Sequence, residues 1–254
     1  MDLALAGSRA LVLGSSSGLG KAIAACLTAE GSRVVVSGRD EGRLLECSRE
    51  IGAAGWVVGD LAAVDVAAQV VEEAAQQLGG LDIIVINTGG GSPGALGKSN
   101  ALSREQAYRS MLRPALDAAT AAIPHLRACG RGRMLFITAR SVVEPSSELA
   151  LSSVFRSGVA AAGRSLALEL APDVLVNVVV PGRFDTPAYH RFRAWLATEQ
   201  GTSEAAVTER HLSSVPVGRL GTANELADVV TFLCSSRASY ITGSIIRVDG
   251  GAIG

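Results

Sequence analysis

Short β-branched and aliphatic runs alternate with longer alanine-rich stretches along the whole chain. The runs predict strands at residues 10–13, 34–37, 56–58, 83–87, 134–138, 175–180 and 245–248. Most of these runs are continuously apolar rather than alternating, the pattern of parallel strands buried on both faces. Between them, residues 63–78 put Val64, Ala67, Ala68, Val71, Ala74, Ala75 and Leu78 on one face at helical spacing, which predicts an amphipathic helix. Strand–helix alternation of this kind predicts βαβ units and a doubly wound α/β sheet of the Rossmann type. No linker, low-complexity tract or short-period repeat divides the chain, so residues 1–254 read as one domain. Residues 188–214 break the alternation. They carry Tyr189, His190, Arg191, Arg193, Trp195 and His211, and read either as a lid over a site or as a surface excursion.

Composition narrows the function classes. A formal net charge of −1 and a pI near 6.3 offer no basic face to a polyanion, so nucleic acid is not an expected partner. No apolar run approaches the roughly 20 residues of a membrane helix, and the segment that opens with Asp2 lacks the basic start of a signal peptide. Cys26, Cys47, Cys129 and Cys234 are scattered, with no CxxC pair and no histidine cluster. They read as small apolar residues in a reducing cytoplasm, and no metal site is expected.

The first strand runs into Gly14, Ser15, Ser16, Ser17, Gly18, Leu19 and Gly20, with a helix expected from about Lys21. Glycines at this spacing allow a tight turn and close backbone approach to a pyrophosphate, which then meets the free N–H groups of the helix start. The strand–loop–helix context makes the pattern specific. The second strand ends on Gly38 and Arg39. An NAD site would place an acid near there for the ribose 2′-hydroxyl. Gly38 leaves that place empty, and a guanidinium suits a 2′-phosphate, so NADP(H) is favoured over NAD(H).

Further motifs follow in order. They comprise Asp60 and Leu61 after the third strand, then Asn87, Thr88, Gly89 and Gly90 at the end of the fourth. Pro181, Gly182 and Thr186 come next, and the series closes with Tyr240 to Gly243 and Val248 to Gly251. Together with Gly14, Gly18 and Gly20 they resemble the short-chain dehydrogenase/reductase family, although Leu13 stands where threonine is usual. The resemblance implies a single-domain Rossmann fold, a seven-stranded parallel sheet with helices on both faces. It places Asp60 and Leu61 by the adenine, and Pro181, Gly182 and Thr186 beside the nicotinamide, with Asn87 and Gly89 also lining the cofactor. It further implies a homotetramer or homodimer packed through helices near 104–128 and 150–170. The small side chains Ala115, Ala118, Ala119, Ala121 and Ala122 on the first of these suit a subunit interface or packing on the sheet.

The family's chemistry rests on a tyrosine, a lysine four residues later, a serine thirteen residues before the tyrosine, and an asparagine on an earlier helix. Arg164 to Leu170 resembles the end of the family's catalytic helix and, with Pro145, sets the register. The tyrosine position is then Ser152, the lysine position Arg156, the serine position Ala139, and the asparagine position falls near Met111. Shifting the register by one gives Leu151, Phe155 and Thr138, again without tyrosine or lysine. Leu151, Ser152 and Arg156 resemble a bacterial subgroup described as 3-oxoacyl-[acyl-carrier-protein] reductase-like. Arg156 can bond a ribose hydroxyl but is not a lysine's point charge. A serine hydroxyl is a far weaker acid than a phenol, and losing a positioned general acid costs on the order of 100- to 10,000-fold in rate. Ser141, Arg140, Tyr189 and His190 are the candidates to replace it. His125 reads as structural and His211 as a lid-surface residue.

Three functions fit. One is an NADP(H)-dependent oxidoreductase of a small carbonyl or alcohol substrate, such as a 3-oxoacyl thioester, with an atypical active site. The second is a catalytically silent nucleotide-binding sensor or subunit. The third, non-redox chemistry such as dehalogenation, fits poorly because the glycine loop is intact.

Overall fold

The computed structural model describes residues 2–252; positions 1, 253 and 254 of the expected domain lie outside the described residues. In chain order the elements are β1 (Arg9–Val12), α1 (Gly18–Ala29), β2 (Arg33–Gly38), α2 (Glu41–Ile51), β3 (Gly55–Val58), α3 (Val66–Leu78) and β4 (Ile83–Asn87). Then come α4 (Ala101–Ala107), α5 (Arg113–Ala128), β5 (Gly132–Ile137), α6 (Ala150–Leu170), β6 (Val174–Pro181), α7 (Pro187–Glu199), α8 (Glu204–Ser213), α9 (Ala223–Cys234) and β7 (Ile245–Val248). The seven strands form one sheet in the order β3-β2-β1-β4-β5-β6-β7, with every pairing parallel. The chain reverses direction of winding between β1 and β4, which opens a crevice at the carboxyl ends of those strands.

The continuous apolar runs have their cause in this layout. One face of the sheet packs on α3, α5 and α6 through residues such as Leu11, Val71, Ala118 and Phe136. The other packs on α1, α2 and α9 through Val12, Ile23, Leu44 and Leu226. Every strand between β2 and β6 is covered twice, so no polar alternation survives. Within β6, Asn177 is buried because its amide donates to the Ile241 carbonyl at 2.8 Å and its carbonyl accepts from the Ser244 N–H at 3.1 Å.

Several boundaries differ from the sequence expectation for local reasons. The helix expected from residue 63 begins at Val66. Asp60 holds residues 60–63 in a turn, its carboxylate accepting from the Ala62 N–H and its carbonyl from the Ala63 N–H. The helix expected over 104–128 is two helices joined by a wide turn of five-residue pitch at Tyr108–Leu112. Pro114, the second residue of α5, has no N–H to give to the preceding turn, so the ladder is interrupted there. Ala115, Ala118, Ala119 and Ala122 are fully or almost fully buried in the core beneath α3 and the sheet, so this small-residue face serves packing within the subunit. His125 bonds Glu72 of α3 through Nε2 at 3.1 Å.

Candidate active site

The glycine loop forms a cradle with no room for side chains. Gly14 and Gly18 have φ of +59° and +56°, a region that L side chains rarely enter. A Cβ on Gly14 would sit 2.5 Å from the Asn87 carbonyl oxygen, and one on Gly20 would sit 2.3 Å from that of Gly14. The Asn87 amide donates to the Gly14 carbonyl at 3.0 Å, tying the end of β4 to the loop after β1. Ser15 is buried; its hydroxyl donates to the Val12 carbonyl at 2.7 Å and accepts from the Ser37 N–H at 2.9 Å. Ser16 and Ser17 are half-buried. Ser17 caps α1 in extended conformation without a side-chain hydrogen bond, which leaves the helix start open to an anion. Leu19 turns away and packs against the core under α1.

Where an acid would select the ribose hydroxyl, Gly38 is backed by Ser16 and Leu44, whose nearest atoms lie 3.3 and 3.4 Å from its would-be Cβ. Arg39 is exposed and has no bonded partner among the described residues. Asp60 is exposed and Leu61 half-buried at the end of β3. A cleft of about 380 Å³ joins Asp60 to Gly90, Gly91 and Ser110. Gly89 is exposed at the end of β4. Across the crevice, Pro181 ends β6, Gly182 lies against Asp249 with no space for a side chain, and Thr186 faces Gly18. The Thr186 hydroxyl accepts from the Tyr189 N–H and starts α7.

Of the proposed reaction residues, Ser141 and Ser152 meet, their hydroxyl oxygens 3.1 Å apart. Ser141 sits in a helical turn at Arg140–Val142 just past β5, and Ser152 in the first turn of α6. Arg156, one turn further, is buried. Its guanidinium donates to the carbonyls of Ile137 at 2.9 Å, Thr88 at 3.2 Å and Gly89 at 2.8 Å, and so clamps the ends of β4 and β5. Burial pulls its pKa down to about 10, so it remains a cation at neutral pH. Met111 is fully buried against Ala107, Leu151 and Phe155. Its carbonyl accepts from the Thr88 hydroxyl at 3.2 Å. Ala139 lies extended ahead of the Ser141 turn.

Residues 188–214 fold as the helical pair α7–α8, held by Leu196, Ala197 and Val207. Gln200 reaches Glu148, in the segment before α6, at 3.3 Å. The surface position expected for His211 is wrong: it is buried, stacked on Phe192, with Nδ1 3.2 Å from the Tyr189 hydroxyl. Burial first, then the cations Arg183, Arg210 and Arg140, push its pKa down to about 4. Tyr189 is thereby buried inside the pair, while His190 is exposed and bonded to Asp185 at 2.8 Å. Sequence reasoning passed over Arg183, half-buried just past β6 and donating to the Ser214 hydroxyl at 3.1 Å. A cation between Pro181 and Thr186 was the available signal.

A glycine cradle at the β1–β4 switch point and an open helix start define a dinucleotide-binding protein. A family model described as enoyl-(acyl carrier protein) reductase matches residues 14–252. The chain belongs to the short-chain dehydrogenase/reductase family. It is 29% identical to the NADPH-dependent reductase BacG of Bacillus subtilis, over 96% of this chain and 97% of that protein. It is 32% identical to the 3-oxoacyl-[acyl-carrier-protein] reductase FabG of Aquifex aeolicus, over 99% of each. The L-sorbose reductase of Gluconobacter frateurii, solved with NADPH and L-sorbose, superposes with a TM-score of 0.93 at 30% identity, covering 100% of this chain and 99% of that one.

Proposed function

We propose that this chain is an NADPH-dependent reductase of a small carbonyl compound, with a serine pair where the family's tyrosine stands. The observation that carries the cofactor half is the cradle, which a single methyl group on Gly14 or Gly20 would fill. Backbone at Gly14, Ser16, Ser17, Gly18 and Gly20 holds the pyrophosphate on the start of α1. Arg39 takes the 2′-phosphate, Asp60 and Leu61 flank the adenine, and Asn87, Gly89, Pro181, Gly182 and Thr186 wall the nicotinamide end. The named NADPH-dependent and NADPH-bound relatives support the choice of cofactor. When bound, NADPH supplies a hydride for the carbonyl carbon.

The protein's own contribution lies at the other end. Ser141 and Ser152, hydrogen-bonded to each other, orient the carbonyl oxygen and relay a proton to it from water. An aliphatic hydroxyl is a weak acid, so positioning supplies more of the rate than acid strength does. Arg156 acts by fixing the strand ends rather than by touching substrate. The α7–α8 pair closes over the site, and the protein works as a cytoplasmic homodimer or homotetramer.

Titration with NADPH and NADH, followed by single-turnover absorbance on a carbonyl panel including 3-oxoacyl thioesters, tests this reading. Oxidation of bound NADPH, slowed about 10- to 100-fold in Ser141→Ala and Ser152→Ala, is the expected result. Tight binding with no oxidation favours the second reading, a nucleotide-binding sensor or subunit without turnover. One observation supports that alternative: the guanidinium of Arg156 is buried and bonded to three carbonyls, a structural clamp where the family carries a working lysine.

A further inference from the structure

The acids around the substrate end of the site are already partnered. Glu144 pairs with Arg140 at 2.5 Å, Glu148 bonds Gln200, and Asp185 bonds His190. Arg183 is the exception. It is half-buried and has no salt bridge among the described residues; its one side-chain hydrogen bond goes to the Ser214 hydroxyl, at 3.1 Å. Arg183 follows Gly182 on the crevice wall. Parallel pairing of β5 with β6, in register at Ile137 and Val179 and extended by the Thr138 N–H donating to the Val179 carbonyl at 2.9 Å, brings the turn that carries Ser141 and the segment that carries Arg183 out of the same end of the sheet. Burial and the Arg140 charge both lower the Arg183 pKa, and Glu144 and Glu148 offset this only in part.

A cation partly out of water without an anion carries a desolvation penalty that a bound anion would offset. Its position makes a substrate group the natural counter-ion, since Arg183 follows β6 at the end of the sheet where the turn that carries Ser141 follows β5. We infer that Arg183 binds a carboxylate of the substrate, so that the site takes oxo acids in preference to neutral carbonyl compounds. The inference rests on the reductase reading for the oxo group. The anion site itself stands on Arg183, half-buried just past β6 with no salt bridge among the described residues and one side-chain hydrogen bond, to Ser214. A planar guanidinium engages a carboxylate through two parallel hydrogen bonds.

The test uses an oxo acid, its methyl ester and the corresponding hydroxy acid, with the intact protein, Arg183→Gln and Arg183→Lys. Single-turnover NADPH oxidation gives the reaction, and calorimetric titration of the hydroxy acid gives binding without turnover. The expected result is acid preferred over ester by about 10- to 100-fold in the native protein. That preference disappears in Arg183→Gln, through the acid alone, and returns in part in Arg183→Lys. Equal handling of acid and ester in the native protein overturns the anion site while leaving the reductase reading intact. Arg183-dependent binding of the hydroxy acid with no NADPH oxidation overturns the reductase reading and keeps the anion site. No binding of the acid overturns the anion site.

Discussion

Acid should loosen the α7–α8 pair before it unfolds the rest of the protein, and His211 should be the reason. Its ring is stacked on Phe192, 6% exposed, with Nδ1 against the Tyr189 hydroxyl. The neutral ring can accept the phenol's proton at Nδ1; a protonated ring cannot, and adds a buried positive charge near Arg183, Arg210 and Arg140. The folded pKa of about 4 lies below the ordinary 6.5, so the unfolded chain binds the proton more readily. His211 therefore contributes stability that is complete above about pH 6.5 and is lost as pH falls through about 4. The fall from 6.5 to about 4, at about 1.4 kcal/mol per pH unit, is at most about 3.5 kcal/mol. The loss observed locally is capped by the free energy needed to open α7 and α8 from the sheet. Trp195 lies in α7, stacked near Phe192, and its fluorescence reports this step. Urea titrations of the native protein and of His211→Gln across this pH range measure it. The variant starts less stable at neutral pH and loses less on acidification. Parallel pH profiles for the two proteins would refute the reasoning.

Three other substitutions follow from the site. Gly20→Ala puts a methyl 2.3 Å from the Gly14 carbonyl oxygen and 2.9 Å from the Asn87 amide nitrogen. This should cost about 1–3 kcal/mol of stability and weaken NADPH at least about tenfold, read by melting and by fluorescence titration. Arg39→Ala should raise the Kd for NADPH about 10- to 100-fold and leave NADH nearly unchanged; equal losses for both nucleotides would remove Arg39 from the 2′-phosphate. Arg156→Met relieves a desolvated cation but orphans the carbonyls of Ile137, Thr88 and Gly89. We expect a net loss of about 2 kcal/mol in urea unfolding.

Much of the architecture was legible because its causes are local. Apolar runs at residues 83–87 and 245–248 mark β4 and β7 with the boundaries observed; β4 is covered on both faces and is apolar up to Asn87, whereas β7 is the half-exposed edge strand and carries Arg247. The glycine spacing after β1 was readable for the same reason: positive φ at Gly14 and Gly18 and the contact of Gly14 with Gly20 are demands of the backbone itself. Proline chemistry could have announced the break before Pro114, but the helical pattern around it concealed the signal.

Tertiary structure alone decided where the polar side chains of the site went. Nothing in the sequence around His211 distinguishes a surface imidazole from one buried beneath Tyr189 and Phe192, because those partners arrive from another helix. The alanines of α5 could have faced a second subunit or the sheet, and only the packing against α3 put them inside. The same holds for Arg156, whose three carbonyl partners lie in β5 and in the turn beyond β4, and for Arg183, whose side-chain partner Ser214 lies just past α8. Backbone propensity and hydrophobic period are written within a few residues of one another. The partner of a buried charge comes from a distant part of the chain, and the fold must assemble before that partner exists.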